Sequence, residues 1–280
     1  MGYSIFDETM VDMAWPEIEK AADEGAIVIL PTGVIEEHGP HMGLAVDIYA
    51  AYLVSKLARR RLESKGIRTL IAPPYYWGIN TATGSFAGSF TVRKETLKAI
   101  IYDILASLNR WGLNNVFNIN WHGEQGHNKA ILEAVKEARA DTGVRAYCVL
   151  SDSLAKRLGL KGTESYALIA RTPVASQAHA RYLEIHADVT ETSLMMHYFP
   201  DQVNAELARA LAPTNLTIEG LNVWRRGWSD ARRVTPLGYF GDPASFCPEA
   251  GKQLVEGYAQ AVADLIESFM KGDYKSPRIE

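Results

Sequence analysis

Short apolar runs that alternate with longer amphipathic segments constrain the fold of this chain more than any other feature. Residues 26–30, AIVIL, read as a buried strand closed by Pro31. A helix is expected over 48–61, and a second short strand over 68–72, stopped by Pro73-Pro74. Over 95–111, Leu97, Ile100, Ile101, Ile104, Leu105 and Leu108 form one stripe at helical spacing, and Gly112 ends it. Residues 116–120 read as a third strand, 128–140 as a third helix and 145–150 as a fourth strand. Strand and helix in turn make βαβ units, hence a mostly parallel sheet with helices on both faces. The second half is less regular: helices over 192–199 and 204–211, a loop-rich stretch over 213–246, and a terminal helix opened by Pro248 and ending near Lys271. No Gly-, Ser- or Pro-rich linker divides the chain, so one α/β domain over 1–280 is expected.

Composition narrows the function classes. The chain has 280 residues, enough for a sizeable core, and a formal net charge of -4 that gives no basic footprint for nucleic acid. Two cysteines, Cys148 and Cys247, make no disulfide framework. No apolar run approaches the roughly 20 residues that cross a bilayer, and no signal peptide is visible at the N-terminus. A cytoplasmic enzyme acting on a small molecule is the expectation. Neither a Walker loop nor a Gly-x-Gly-x-x-Gly fingerprint follows a strand, which argues against a nucleotide-binding module.

Chemistry-bearing residues gather where strands end. GVIEEHGPHMGLAVD, residues 33–47, follows the first strand. Residues two apart in extended chain share a face; Glu36 and His38 therefore point together, with Glu37 opposite. Asp47 lies on the way into the next helix, as a metal ligand or merely its N-cap. The third strand runs into NINWHGEQGHN, which sets His122 and Glu124 two apart. Parallel strands open on one edge, where ligands bind, so the two pairs can converge. Five ligands, Glu36, His38, Asp47, His122 and Glu124, exceed an ordinary tetrahedral catalytic site. They suit two ions that share one carboxylate, with Asp47 the candidate bridge. Histidine and carboxylate ligands fit zinc or manganese. His41 and His127 read equally well as structural histidines. A third cluster holds His186, a candidate proton carrier, and Glu191, a candidate catalytic carboxylate or simply part of a helix start capped by Thr190 or Thr192. Asn80, Thr81, Thr83, Ser85 and Ser89 either line a pocket for hydroxyl groups or form a turn-rich loop.

These motifs resemble the creatininase family of metal-dependent hydrolases. The family's Pro-x-Gly, Glu-Gln-His-Gly-Pro-His and following aspartate stand here as Pro31-Thr32-Gly33, Glu36-Glu37-His38-Gly39-Pro40-His41 and Asp47. Asn120-Trp121-His122, His186-Ala187-Asp188 with Glu191-Thr192-Ser193, Gly241-Asp242-Pro243 and the segment Gly84 to Ser89 are similar to further family features, so the resemblance spans about residues 26–270. It implies a three-layer α/β/α sandwich and a homo-oligomer, often a hexamer. It also implies a binuclear zinc or manganese centre, with Glu36 and His122 on one ion, His38 and Glu124 on the other and Asp47 between them; His127 is an alternative ligand to Glu124. Glu37 stands for the usual glutamine and Asp188 for the usual glycine. No tryptophan lies between Asn128 and His186, where the creatinine-opening branch encloses its substrate, so creatinine itself is not the expected substrate.

The resulting expectation is a binuclear hydrolase that cleaves a C–N bond of a small polar cyclic substrate with metal-activated hydroxide. The alternatives are a ring-opening C–C hydrolase of a cyclic polyol ketone and, less favoured, a non-catalytic oligomeric scaffold.

Overall fold

The computed structural model describes residues 3–171, 181–277 and 279. Its centre is a sheet of β1 (Ile27–Thr32), β2 (Thr69–Ile71), β3 (Asn115–Asn120), β4 (Arg145–Ser151) and β5 (Ala167–Ala170), all parallel in the order β2-β1-β3-β4-β5. Alternation sorts the strand side chains between two layers. Val28, Leu30, Val116, Ala146 and Cys148 pack against α1 (Trp15–Asp23), α3 (Lys94–Arg110), α4 (Gln125–Thr142) and α5 (Asp152–Leu158). Ile27, Ile29, Phe117, Ile119 and Val149 pack on the other face against α2 (Val46–Ser64), α6 (Val189–Tyr198) and α10 (Pro248–Met270). Each fully buried aliphatic side chain contributes roughly 1.5–3 kcal/mol, so the two layers hold the sheet as a three-layer α/β/α sandwich. Shorter helices α7 (Ala205–Ala210), α8 (Ile218–Trp224) and α9 (Trp228–Val234) occupy the loop-rich second half. Among the described residues, no helix is long and apolar enough to cross a membrane.

The strand order matters for function. The chain steps outward from β1 to β2, then returns past β1 to β3. Between β1 and β3 the connections leave in opposite directions, and such a switch point opens a crevice at the strands' carboxyl ends.

Besides α6, which starts at Val189 and not Thr192, and the helices α8 and α9 inside the stretch read as loop-rich, three boundaries that bear on the site differ from the sequence reading. β1 does not stop at Pro31 but runs through it to Thr32, in register with Ile119 and Asn120. Proline is tolerated because this residue faces the β2 side beyond the end of β2, where its carbonyl accepts from Tyr75 N at 3.0 Å and no donor is required. Helix α2 starts at Val46 behind Ala45, so Asp47 sits in its first turn and is neither a loop residue nor the cap. Helix α4 starts at Gln125, which makes Glu124 its N-cap residue instead of an extension of β3. Strand β5 has four residues, too few for periodicity to distinguish from a loop.

Candidate metal centre

The crevice is built by close backbone approach. A Cβ at Gly33 would lie 2.8 Å from Ile48 N and 2.9 Å from the carbonyl carbon of Asp47. Glycine there lets the end of β1 abut the N-terminus of α2, and this brings Asp47 to the segment that carries Glu36 and His38. Gly39, at φ 68°, turns the chain after His38. Glu36 is tied down by its N–H to Leu44 O at 3.1 Å and by the Thr83 hydroxyl, which donates to Oε2. On β3, Asn120 Nδ2 donates to His122 O at 2.6 Å, and Asn128 Nδ2 donates to the same carbonyl at 2.8 Å. Two side-chain amides thus fix the loop that carries His122.

The protonation geometry of two histidines decides what this floor can hold. His122 Nε2 lies 3.1 Å from Ile79 O, an atom that only accepts, so the ring N–H is there. Its Nδ1 lone pair then faces Glu36 Oε1 at 3.0 Å and Asp47 Oδ2 at 3.2 Å. His38 repeats the arrangement with the nitrogens exchanged: Nδ1 donates to Glu36 O at 3.1 Å, and Nε2 faces Asp47 Oδ1 at 3.8 Å and Glu191 Oε2 at 3.7 Å. His38 Nε2 and Asp47 Oδ2 are buried with no hydrogen-bond partner. Two sets of acceptor atoms, Glu36–Asp47–His122 and His38–Asp47–Glu191, therefore converge with Asp47 common to both, each within 4.8 Å; a third group within the same distance, Glu36–His38–His186, lacks Asp47. Converging buried acceptors repel one another unless a cation or a proton lies between them. The donor chemistry fits a divalent metal, each histidine being oriented by a carbonyl behind it.

Without a cation, charge shifts as this crowding requires. Burial pushes the His122 imidazolium down, but Glu36 and Asp47 outweigh it and hold its pKa well above the ordinary value. Burial pushes the Glu36 carboxyl up, but His122, His186 and His38 bring it below the usual range. Burial dominates at Glu191 and raises it well above 4.5.

His186 stands over the floor. Its Nε2 donates to Glu37 O at 2.8 Å, its Nδ1 lies 4.0 Å from Glu36 Oε1, and its ring sits 4.5 Å from that of His38 and 5.9 Å from Trp224. Burial lowers its pKa, but Glu36, Glu37 and Glu191 together hold it well above 6.5. Glu37 Oε1 stands 3.5 Å behind the ring, on the side away from the floor. Helix α6 brings Glu191 in; its cap is Asp188, whose carboxylate accepts from Thr190 N and Glu191 N, and not Thr190 or Thr192.

The comparisons with known proteins agree along most of the chain. The family model for creatininase, described as creatinine amidohydrolase, matches residues 11–266. The chain belongs to the creatininase family. It is a metal-dependent hydrolase. Among this creatininase-family chain's relatives, the mycofactocin precursor peptide peptidase of Mycobacterium ulcerans (strain Agy99) is 27% identical over 243 residues, covering 85% of this chain and 82% of the peptidase. The creatinine amidohydrolase of Pseudomonas putida is 26% identical over 268 residues, covering 91% and 94%. A solved structure described as "Creatininase Mn" superposes with a TM-score of 0.72 at 21% identity, covering 94% of this chain and 98% of that one.

Within this creatininase fold, Glu124 and His127 stand apart from the donor sets. The Glu124 carboxylate accepts from Thr81 N and Thr81 Oγ1, both at 2.6 Å, and it belongs to neither set. His127 Nδ1 accepts from Ile79 N at 3.3 Å, and Nε2 donates to Asn120 Oδ1 at 3.2 Å; both nitrogens are spent on structure. His41 is also turned away, sharing a 2.9 Å hydrogen bond with the Thr192 hydroxyl. The polar loop proves mainly a buttress: Asn80 donates to Ile35 O and Phe90 O, Ser89 accepts from Glu37 N, and Ser85 donates to Trp228 O. Only Thr81 of that group lines the cavity of about 400 Å³ above the floor. Trp224, Arg157 and Arg225 also line it, and sequence reasoning missed them. No spacing signal ties these residues, far along the chain, to the strand ends.

Glu184, beside the creatininase-type centre, gives a pH test. Its Oε2 accepts from Asp242 N at 3.0 Å, yet burial pushes its pKa up to about 7 from 4.5. The folded chain therefore holds this proton more tightly than the unfolded chain. The associated stability is complete below about pH 4.5 and is lost as pH rises through about 7. Glu184→Gln keeps the acceptor and removes the charge, so it should stabilise by about 1–2 kcal/mol at pH 8 and much less at pH 5. Thermal melts at the two pH values check this; an equal effect at both would contradict it.

Proposed function

We propose that the chain is a binuclear metal-dependent amidohydrolase that cleaves a C–N bond of a small polar substrate. The observation that carries this reading is the convergence of one nitrogen each of His122 and His38 on buried carboxylate oxygens that need a cation or a proton between them. Glu36 and His122 would hold one ion, His38 and Glu191 the other, and Asp47 would serve both. Imidazole and carboxylate ligands without cysteine favour zinc or manganese. When bound, two such ions polarise a carbonyl and bring the pKa of a shared water toward neutrality.

The chain's own residues supply the rest. Glu37 O fixes the His186 tautomer by accepting from Nε2, which leaves Nδ1 toward the floor. His186 protonates the leaving nitrogen as the bond breaks. Glu37 favours the protonated ring from the far side. Trp224 and His186 wall one side of the cavity and shield the reacting bond from bulk water. The named relatives act on peptide or amide bonds, both C–N, which favours this chemistry over carbon–carbon cleavage. The completeness of both donor sets argues against a catalytically silent scaffold. A homo-oligomer, the hexamer implied by the family resemblance, accords with exposed Leu44, Trp77 and Phe90, the last two stacked edge-to-face 5.3 Å apart.

Metal removal is the direct test of activity. Dialysis against a chelator should abolish hydrolysis across a panel of lactams and short peptides and lower Tm by several degrees, about 1–3 kcal/mol of lost binding linkage. Added Zn²⁺ or Mn²⁺ should restore both. Undiminished turnover in stripped protein would defeat the proposal.

A further inference from the structure

Two arginines line the cavity from opposite parts of the sequence: Arg157 near the end of α5, and Arg225 just after α8. The Arg157 guanidinium lies against the metal loop, with Nη2 3.7 Å from where a Cβ on Gly123 would stand. Arg225 follows Trp224, whose ring packs near His186. Among the described residues neither guanidinium forms an ion pair. Arginine at a helix C-terminus complements the helix dipole, but that does not bring two such residues to one cavity. Their mutual approach is unfavourable: burial first, then the charge of Arg225, lowers the Arg157 pKa.

Charge counting gives the pair a purpose. On the proposed reading, two dications over Glu36, Asp47 and Glu191 leave a floor that a bound hydroxide neutralises. Glu124 on the wall then offsets one arginine. Protonated His186 is balanced by Glu37 behind it, so one positive charge is left over at the rim, which suits a singly charged anion better than a doubly charged one. A planar guanidinium is also the side chain best matched to a carboxylate.

We infer that Arg157 and Arg225 form a carboxylate-binding subsite, so that the substrate is an amide bearing a carboxylate group beside the bond that is cleaved. This inference rests on the amidohydrolase reading for the position of that bond, but its test does not depend on turnover.

The experiment is equilibrium binding to metal-loaded protein by calorimetry. It uses 5-oxoproline and 2-pyrrolidinone, one lactam ring with and without a carboxylate, together with inorganic phosphate. The wild-type chain should bind 5-oxoproline about ten-fold or more tightly than 2-pyrrolidinone. The Arg157→Gln/Arg225→Gln double variant should lose that preference while retaining its metal. Metal retention, measured by elemental analysis, separates loss of the subsite from loss of the centre. Equal binding of the two lactams overturns the inference, as does 5-oxoproline binding that is unchanged or absent in both proteins. Arginine-dependent binding of phosphate alone overturns the carboxylate assignment. If the preference is found but no lactam or peptide is hydrolysed, the subsite stands and the amidohydrolase reading falls; hydrolysis without the preference gives the reverse.

Discussion

Asp47→Ala is expected to empty the whole centre, not half of it. Asp47 faces His122 through Oδ2 and His38 through Oδ1, so one deletion removes a ligand from both donor sets. Bound metal should fall from two ions per chain toward none, and kcat/KM should drop by about 10³-fold or more, the scale of several kcal/mol of lost transition-state stabilisation. Because the side chain is buried at the first turn of α2, misfolding is the competing explanation. Asp47→Asn keeps the shape and removes the charge, and it should show the same metal loss with a native circular-dichroism spectrum. A folded Asp47→Asn chain that keeps both ions would overturn the shared-carboxylate arrangement.

The second large effect separates two glutamates that sequence reasoning could not rank. Glu191 Oε2 accepts from Ala187 N at 2.6 Å and still stands 3.7 Å from His38 Nε2, whereas both oxygens of Glu124 are taken by Thr81. Glu191→Gln should release the ion on the His38 side and leave the ion shared by Glu36, Asp47 and His122. The stoichiometry should therefore fall to about one, with a rate loss of about 10²–10³-fold. Glu124→Gln should keep two ions. Elemental analysis of the two variants side by side decides the point; the opposite pattern would return Glu124 to the role its motif suggests.

Much of this is legible in the sequence alone. The alternation of apolar runs and amphipathic stripes suffices for the parallel sheet, because β1 and β4 are buried on both faces and mostly apolar, while β3 is buried over Val116–Asn120 around Val116, Phe117 and Ile119. The convergence of Glu36, His38, Asp47 and His122 followed from strand ends sharing one edge. The proposed ligand partition, with Glu191 in place of Glu124, does not follow from it. An assumed extension of β3 put Glu124 on the face of His122, but α4 begins at Gln125 and turns the chain there. Glu191 lies far along the sequence, and only the packing of α6 against α10 and α2 brings it to His38. Arg157 and Arg225 were invisible for the same reason: they reach the cavity through tertiary packing, and no periodicity records that.

The central claim is that two cations lie either side of one aspartate. The most direct measurement is anomalous diffraction from crystals grown with zinc, with data collected above and below the zinc absorption edge. The account predicts two peaks roughly 3.5–4 Å apart, one within bonding distance of Glu36, Asp47 and His122 and the other of His38, Asp47 and Glu191. A single peak, or none between those side chains, would contradict it.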